Sequence, residues 1–213
     1  QPTSNIILEF IRECRPRFHV PLPVLDLGGG YGVRYVDRDG EVDIPAAISR
    51  VARHMQQACA RLDMAMPQVH MEPGRSIVAD AGLTLYTVGT VKKITGYKNY
   101  VSVDGGMTDN PRYALYGSAY TVLLADRPEA KPDLRCDVVG RCCESGDIVQ
   151  PDVDLPEPRR GEILAVCTTG AYNYSMASNY SRLPRPATVM LTEDRAYVAV
   201  RRESLEDLVH NDV

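Results

Sequence analysis

Lysine is scarce in this chain. Of its 24 lysines and arginines only Lys92, Lys93, Lys98 and Lys131 are lysine, so chemistry that needs an amine has few candidates. The formal net charge is −4 and no basic block occurs, which excludes the clustered footprint of nucleic-acid binding. No apolar run approaches the roughly 18 residues of a membrane span, so no membrane association is expected. The opening QPTSNIILEF has no basic or apolar leader region, and no signal peptide is expected. Six cysteines (Cys14, Cys59, Cys136, Cys142, Cys143, Cys167) are too few for a disulfide scaffold and contain no CxxC. Neither a zinc site nor a thioredoxin-type pair is indicated, and no metal is expected. Reduced thiols in a cytoplasmic protein are the expectation. Internal repeats and low-complexity stretches are absent.

What is present falls into two textures. Ser4 to Glu13 carries Ile7, Phe10 and Ile11 on one helical face. PLPVLDLGGGYG reads as a buried strand, Val24 to Leu27, running into a glycine loop. Asp43 before Pro45 starts a helix. Behind it Ile44, Ala47, Ile48, Val51, Met55, Ala58, Cys59 and Leu62 recur at helical spacing. A short strand, Gln68 to Met71, then leads into EPGR. Strand, loop, helix, strand, loop is the repeat unit of a parallel α/β sheet or barrel. From residue 83 the β-branched runs take over: 85–94, 100–103, 119–124, 137–139, 163–166, 187–191 and 196–200, separated by Gly, Pro and Asp clusters. That predicts an antiparallel β domain over 83–213, closed by a short helix at 204–210. The boundary is expected near Ala81–Leu85, giving domains 1–82 and 83–213.

Five segments carry candidate chemistry. Gly28, Gly29, Gly30 and Gly32 after a strand let backbone N–H groups approach a ligand, most often a phosphate. The spacing is not GxGxxG, and a tight turn explains it equally well. Glu72 and Arg75 stand at a parallel strand end, where α/β sites are built. An ion pair stapling that loop is the alternative. Residues 104–117, DGGMTDNPRYALYG, hold more turn chemistry than a hairpin needs. GRCCESGD at 140–147 places adjacent cysteines before a glutamate, and buried inert thiols would suffice to explain them. GAYNYSMASNYSRLPRP at 170–186 mixes tyrosines, small residues and arginines, and core packing would account for its tyrosines.

Together, in this order, GGGYG, EPGRS, DGGMTDN–R–ALY, CESGD and GAYNYSMASNY–R–PRP resemble the diaminopimelate decarboxylases. These are pyridoxal-phosphate enzymes built on an alanine-racemase-like barrel plus a C-terminal β domain. The resemblance runs from about Leu25 to Arg202. It implies the last part of a TIM-type, cofactor-binding α/β barrel over 1–82. A Greek-key or barrel-like β domain follows over 83–213. The activity implied is decarboxylation of meso-2,6-diaminopimelate to L-lysine and CO₂. By resemblance Gly28, Gly29, Gly30, Gly74 and Arg75 hold the cofactor phosphate, and Glu72 keeps the pyridine nitrogen protonated. Arg75, Arg112 and Tyr116 bind substrate, and Tyr172 touches cofactor and substrate. Glu144 reads the distal amino group. Cys143 is the proton donor after CO₂ leaves. In the family Cys143 and Glu144 act in the partner subunit's site, so a homodimer with shared active sites is implied.

The pattern has departures. Tyr113 follows Arg112 where proline is usual, and Arg141 precedes the cysteine pair where the family often has proline. The Schiff-base lysine of the family lies in an early barrel strand, upstream of the glycine loop. None of the four lysines here has that context. A family barrel needs eight strands, and residues 1–80 supply about two, so a fragment inactive by itself is expected. A related decarboxylase for another basic amino acid or polyamine precursor is the second reading. A non-catalytic homologue that dimerises with an active enzyme is the third.

Overall fold

A computed structural model describes residues 3–19 and 22–213. The chain divides into two compact units, Gln1–Val33 with Gly40–Ile77, and Arg34–Asp39 with Val78–Val213.

The first unit is built on a β–α–β crossover. Helix α1 spans Thr3–Phe18 and strand β1 Val24–Asp26. Helix α2 spans Ile44–Arg61 and strand β2 Gln68–His70. Asp43 caps α2 by accepting a hydrogen bond from the Ala46 amide at 2.9 Å, with a proline in the first turn, as helix-start chemistry requires. β1 and β2 pair in parallel, Val24 opposite Gln68 and Asp26 opposite His70. Parallel neighbours need a crossover, and α2 supplies it. Leu8, Ile11, Leu25, Met55, Ala58, Cys59 and Leu62 form the core on one side of this ladder. Two expectations change here. Phe10 is exposed, because α1 turns the face of Ile7, Leu8 and Ile11 inward and Phe10 falls beside it. Val24 is also exposed, since the core covers only the Leu25 side of β1.

Helix α3, Arg75–Val78, leads out of this unit. The second unit is a six-stranded sheet. Its strands are β3 Leu83–Lys93, β4 Asn99–Val103, β5 Val122–Leu124, β6 Leu134–Val139, β7 Ile148–Leu155 and β8 Ile163–Cys167. Their order is β5-β8-β3-β4-β6-β7, antiparallel throughout except for β4 beside β6. β3 serves two neighbours: its first half pairs with β8 and its second with β4. A register shift between Val88 and Val91 bends it there, as bulges do. The two sheet edges approach one another, and the Tyr120 amide, just before β5, donates to the Gln150 side chain on β7 at 2.7 Å. The sheet is therefore nearly closed into a barrel around Tyr86, Val88, Val101, Leu124, Leu134, Val138, Val149, Leu164 and their neighbours. Residues 34–39 join this unit: Tyr35 packs edge-on against Tyr120 and its carbonyl accepts from Thr121.

The sequence pattern did not reveal β7. It reads IVQPDVDL, and a proline argues against a central strand. β7 is an edge strand, where a missing N–H costs no ladder bond, and Val149, Val153 and Leu155 still alternate inward. Short helices α4 (Arg112–Tyr116) and α5 (Asn173–Met176) were likewise hidden in turn-rich stretches. An antiparallel hairpin, β9 Thr188–Leu191 and β10 Ala196–Val200, and helix α6 Leu205–Leu208 end the chain.

Candidate functional site

The candidate residues fall into two sets, one in each unit. In the first unit the parallel ladder runs straight into both loops. Beyond β1 and β2 the Leu27 amide donates to His70 O at 3.0 Å, and the Glu72 amide donates to Gly28 O at 2.9 Å. The glycine loop and the EPGR segment are thus fixed side by side. Gly28 has φ +69° and its amide donates to Asp26 Oδ1 at 2.6 Å, a geometry that suits glycine. A Cβ on Gly29 would run into the Glu72 carbonyl, so that position tolerates no side chain. Gly30 and Gly74 have open space where a Cβ would stand. A cavity of about 170 Å³ is lined by Leu27, Gly28, Gly30, Tyr31, Val51 and Met71. Arg75 has a buried Nε without a hydrogen-bond partner. The exposed Glu72 carboxylate makes no hydrogen bond or ion pair among the described residues. The stapling ion pair between Glu72 and Arg75 is not formed. These features fit the phosphate and the ring-nitrogen side of pyridoxal phosphate: open glycine backbone, an unpaired guanidinium and a free carboxylate. No lysine lies before Lys92, so this unit offers no amine to the cofactor aldehyde.

In the second unit the DGGMTDN turn is held from below. Tyr86 OH donates to Asp109 inside the core, and Asp109 also accepts from the Gly106 amide at 3.0 Å and Thr108 Oγ1 at 3.2 Å. Burial pushes the Asp109 carboxyl up, partly offset by the Tyr86 hydroxyl, and burial with the Asp109 charge pushes Tyr86 well up. The turn delivers Arg112 at the start of α4. Its guanidinium lies 5.3 Å from the ring centre of Tyr116 and 5.1 Å from that of Tyr172, within cation–π range. Arg112 is 8% exposed, its Nε has no partner, and no acidic side chain pairs with it among the described residues. Tyr172 has φ +72°, a conformation that costs a non-glycine residue on the order of 1–3 kcal/mol. Its carbonyl is held by the Met176 amide at 2.8 Å and Ser175 Oγ at 2.9 Å. The Ser178 amide donates to Thr108 O at 2.8 Å, tying the tyrosine-rich segment to the same turn.

Cys143 and Glu144 occupy a separate turn between β6 and β7. Both are exposed. Cys142 is half-buried, and its thiol is pushed up by burial and then by the Asp147 charge. Glu144 accepts from the Gly146 amide at 3.2 Å and from Tyr180 OH at 3.4 Å, and its charge holds the Tyr180 phenol up. A groove of about 470 Å³ opens beside this turn, with Lys98, Tyr100, Asp137 and Glu144 among its walls. The structure therefore brings Arg112, Tyr116 and Tyr172 together, while Cys143 and Glu144 stand on the neighbouring β6–β7 turn. Asp147, Asp109 and Asn173 were missed as site residues. All three stand inside motifs recognised in the sequence, but only folding shows that they are buried. No group of three or more His, Cys, Asp or Glu among the described residues is placed to hold a metal ion. No described helix is long and apolar enough to cross a membrane.

Comparison with known proteins places these motifs in context. Residues 24–170 match a family described as pyridoxal-dependent decarboxylase, C-terminal sheet domain. Diaminopimelate decarboxylase of Bacillus subtilis (strain 168) is 43% identical over 207 residues, covering 97% of this chain and 47% of that protein. A crystal structure of the diaminopimelate decarboxylase of M. jannaschii, in complex with L-lysine, superposes with a TM-score of 0.83 at 28% identity, covering 99% of this chain and 47% of that one. That from Helicobacter pylori, also complexed with L-lysine, gives 0.80 at 34% identity over 97% of this chain and 48% of its own. The chain spans about half the length of the curated relatives it matches.

Proposed function

From the premise that this chain belongs to the pyridoxal-dependent decarboxylases, through their C-terminal sheet domain, we propose that it serves as the C-terminal half of a diaminopimelate decarboxylase. The reaction is removal of CO₂ from meso-2,6-diaminopimelate to give L-lysine, a step of lysine biosynthesis in the cytoplasm. Pyridoxal 5′-phosphate, when bound, supplies the electron sink for the pair left behind by CO₂. Gly28, Gly29, Gly30, Gly74 and Arg75 hold its phosphate. Glu72 keeps a proton on its ring nitrogen, and Tyr172 borders both cofactor and substrate. Arg112, beside Tyr116, takes the distal carboxylate of the substrate, Glu144 takes the distal ammonium, and Arg75 also binds substrate. Cys143 Sγ delivers the proton that replaces CO₂ on the α-carbon. Exposure of Cys143 and Glu144 on their turn suits residues that act in a second copy's site, so the working form is a homodimer.

One observation carries this choice of substrate. Arg112 is buried between two tyrosine rings with no acidic partner among the described residues. A desolvated cation needs an anion. The distal carboxylate of diaminopimelate supplies one, and ornithine and arginine have none. The test is an enzyme that carries this sequence as its C-terminal half, assayed against meso-diaminopimelate, ornithine, arginine and carboxynorspermidine. Diaminopimelate should be decarboxylated in clear preference. Equal turnover of ornithine would overturn the substrate assignment, and no turnover of any of them would favour a non-catalytic partner subunit.

A further inference from the structure

Asp147 belongs to the CESGD segment but has no part in the chemistry above. It is 4% exposed, and its carboxylate is shared between two turns. Oδ1 accepts the Met107 amide at 2.7 Å, and Oδ2 accepts the Cys142 amide at 2.6 Å. Met107 lies in the turn that leads to Arg112, and Cys142 is the residue before Cys143. The backbone closes the cysteine turn around the same residue: the Gly140 amide donates to Asp147 O at 2.9 Å, and the Asp147 amide donates to Glu144 O at 3.1 Å. Gly106 and Gly140 press against the same carboxylate, and a Cβ on either would collide with it. Charge-assisted bonds of this kind are among the stronger ones, and the glycines leave the carboxylate no room to move.

We propose that Asp147 is a positioning residue that locks the cysteine turn against the arginine turn, so that this carboxylate sets the placement of Cys143. Its catalytic consequence rests on the decarboxylase reading above; its structural claim does not. An amide at this position has a single acceptor oxygen, so Asp147→Asn keeps the shape but turns an NH₂ towards one of the two donors. Gly140→Ala is the complementary variant, since it keeps the carboxylate and its charge but pushes it out of position.

The experiment uses the cofactor-loaded enzyme that contains this chain. Hydrogen exchange followed by mass spectrometry reads the Met107 and Cys142 amides. In either variant at least one of them should exchange roughly tenfold faster or more. With diaminopimelate, either variant should lower kcat on the order of 10- to 100-fold. KM should change less, because the thiol acts after substrate is bound. In a Cys143→Ala background the same substitutions should add little further loss, since the group they position is already gone. Unchanged exchange at both amides overturns the lock. The same fold-loss of kcat with and without Cys143 overturns the positioning role and leaves general destabilisation. If the parent enzyme turns over no diaminopimelate, the decarboxylase reading fails, and the exchange measurement alone decides for or against the lock.

Discussion

Tyr86 and Asp109 show how a buried polar pair supports a surface turn. The phenol reaches from the middle of β3 to a carboxylate that burial would otherwise penalise. Gly105 is flush against the Tyr86 ring, so a Cβ there would collide with it. Tyr86→Phe removes one partner and leaves the carboxylate with its remaining donors, which should destabilise the protein by about 1–3 kcal/mol. Chemical denaturation of the two proteins measures it, and a difference near zero would mean that solvent replaces the phenol. The adjacent cysteines divide differently. Cys143 is exposed on its turn and Cys142 is half-buried with its amide on Asp147. In an active enzyme Cys143→Ala should lower kcat about 10²–10⁴-fold, and Cys142→Ala should be nearly silent. Similar losses in both would reverse or dissolve that assignment.

Among the elements, α2 shows the strongest agreement between periodicity and packing. Met55 is fully buried at its centre, against Leu8, Leu25 and their neighbours. Met55→Ala should therefore cost about 2–5 kcal/mol, read as a lower denaturation midpoint. The last element is tied down by charge instead. Glu203 accepts from Arg185 Nε at 2.7 Å, from the Arg185 amide at 2.8 Å and from Asn179 Nδ2 at 2.6 Å. The Arg185 guanidinium beside it lowers its carboxyl to about 2 from the ordinary 4.5. A depressed carboxyl stabilises the fold fully above its unfolded value and loses that contribution as pH falls towards its folded one. The melting difference between the natural protein and Glu203→Gln should thus be full at about pH 6, smaller at about pH 3, and still shrinking towards about 2. A difference that grew on acidification would contradict the pair. In α6 the Arg201 guanidinium and the Ser204 amide likewise hold the Asp207 carboxyl well below its usual range.

For the whole molecule, the residues proposed to hold the cofactor phosphate and ring nitrogen and the lysines sit in different units. The glycine loop, Glu72 and Arg75 belong to the first, and all four lysines belong to the second. Lys92 and Lys93 lie on β3, Lys98 pairs with the buried Asp137 at 2.8 Å, and Lys93 pairs with Glu157. Pyridoxal phosphate added to the 213-residue chain and reduced with borohydride should therefore leave no single stoichiometric lysine adduct. Peptide mapping that found one dominant modified lysine would show that a local amine does the anchoring.

The sequence by itself determined the two textures, the α2 crossover and the ordered motifs that resemble one enzyme family. Helical period, turn residues and motif order are local properties, and local chemistry writes them into the chain. Neither the edge position that lets Pro151 sit inside β7 nor the near-closure of the sheet follows from local pattern, because both depend on which strands become neighbours. The candidate site divides in the same way. Arg112, Tyr172 and Cys143 could be picked out from their motifs. That Arg112 is buried between Tyr116 and Tyr172, and that Asp147 joins the two turns, required residues 60 and 40 positions apart to meet. Burial and pairing across such separations are decided by tertiary packing, and no local period encodes them.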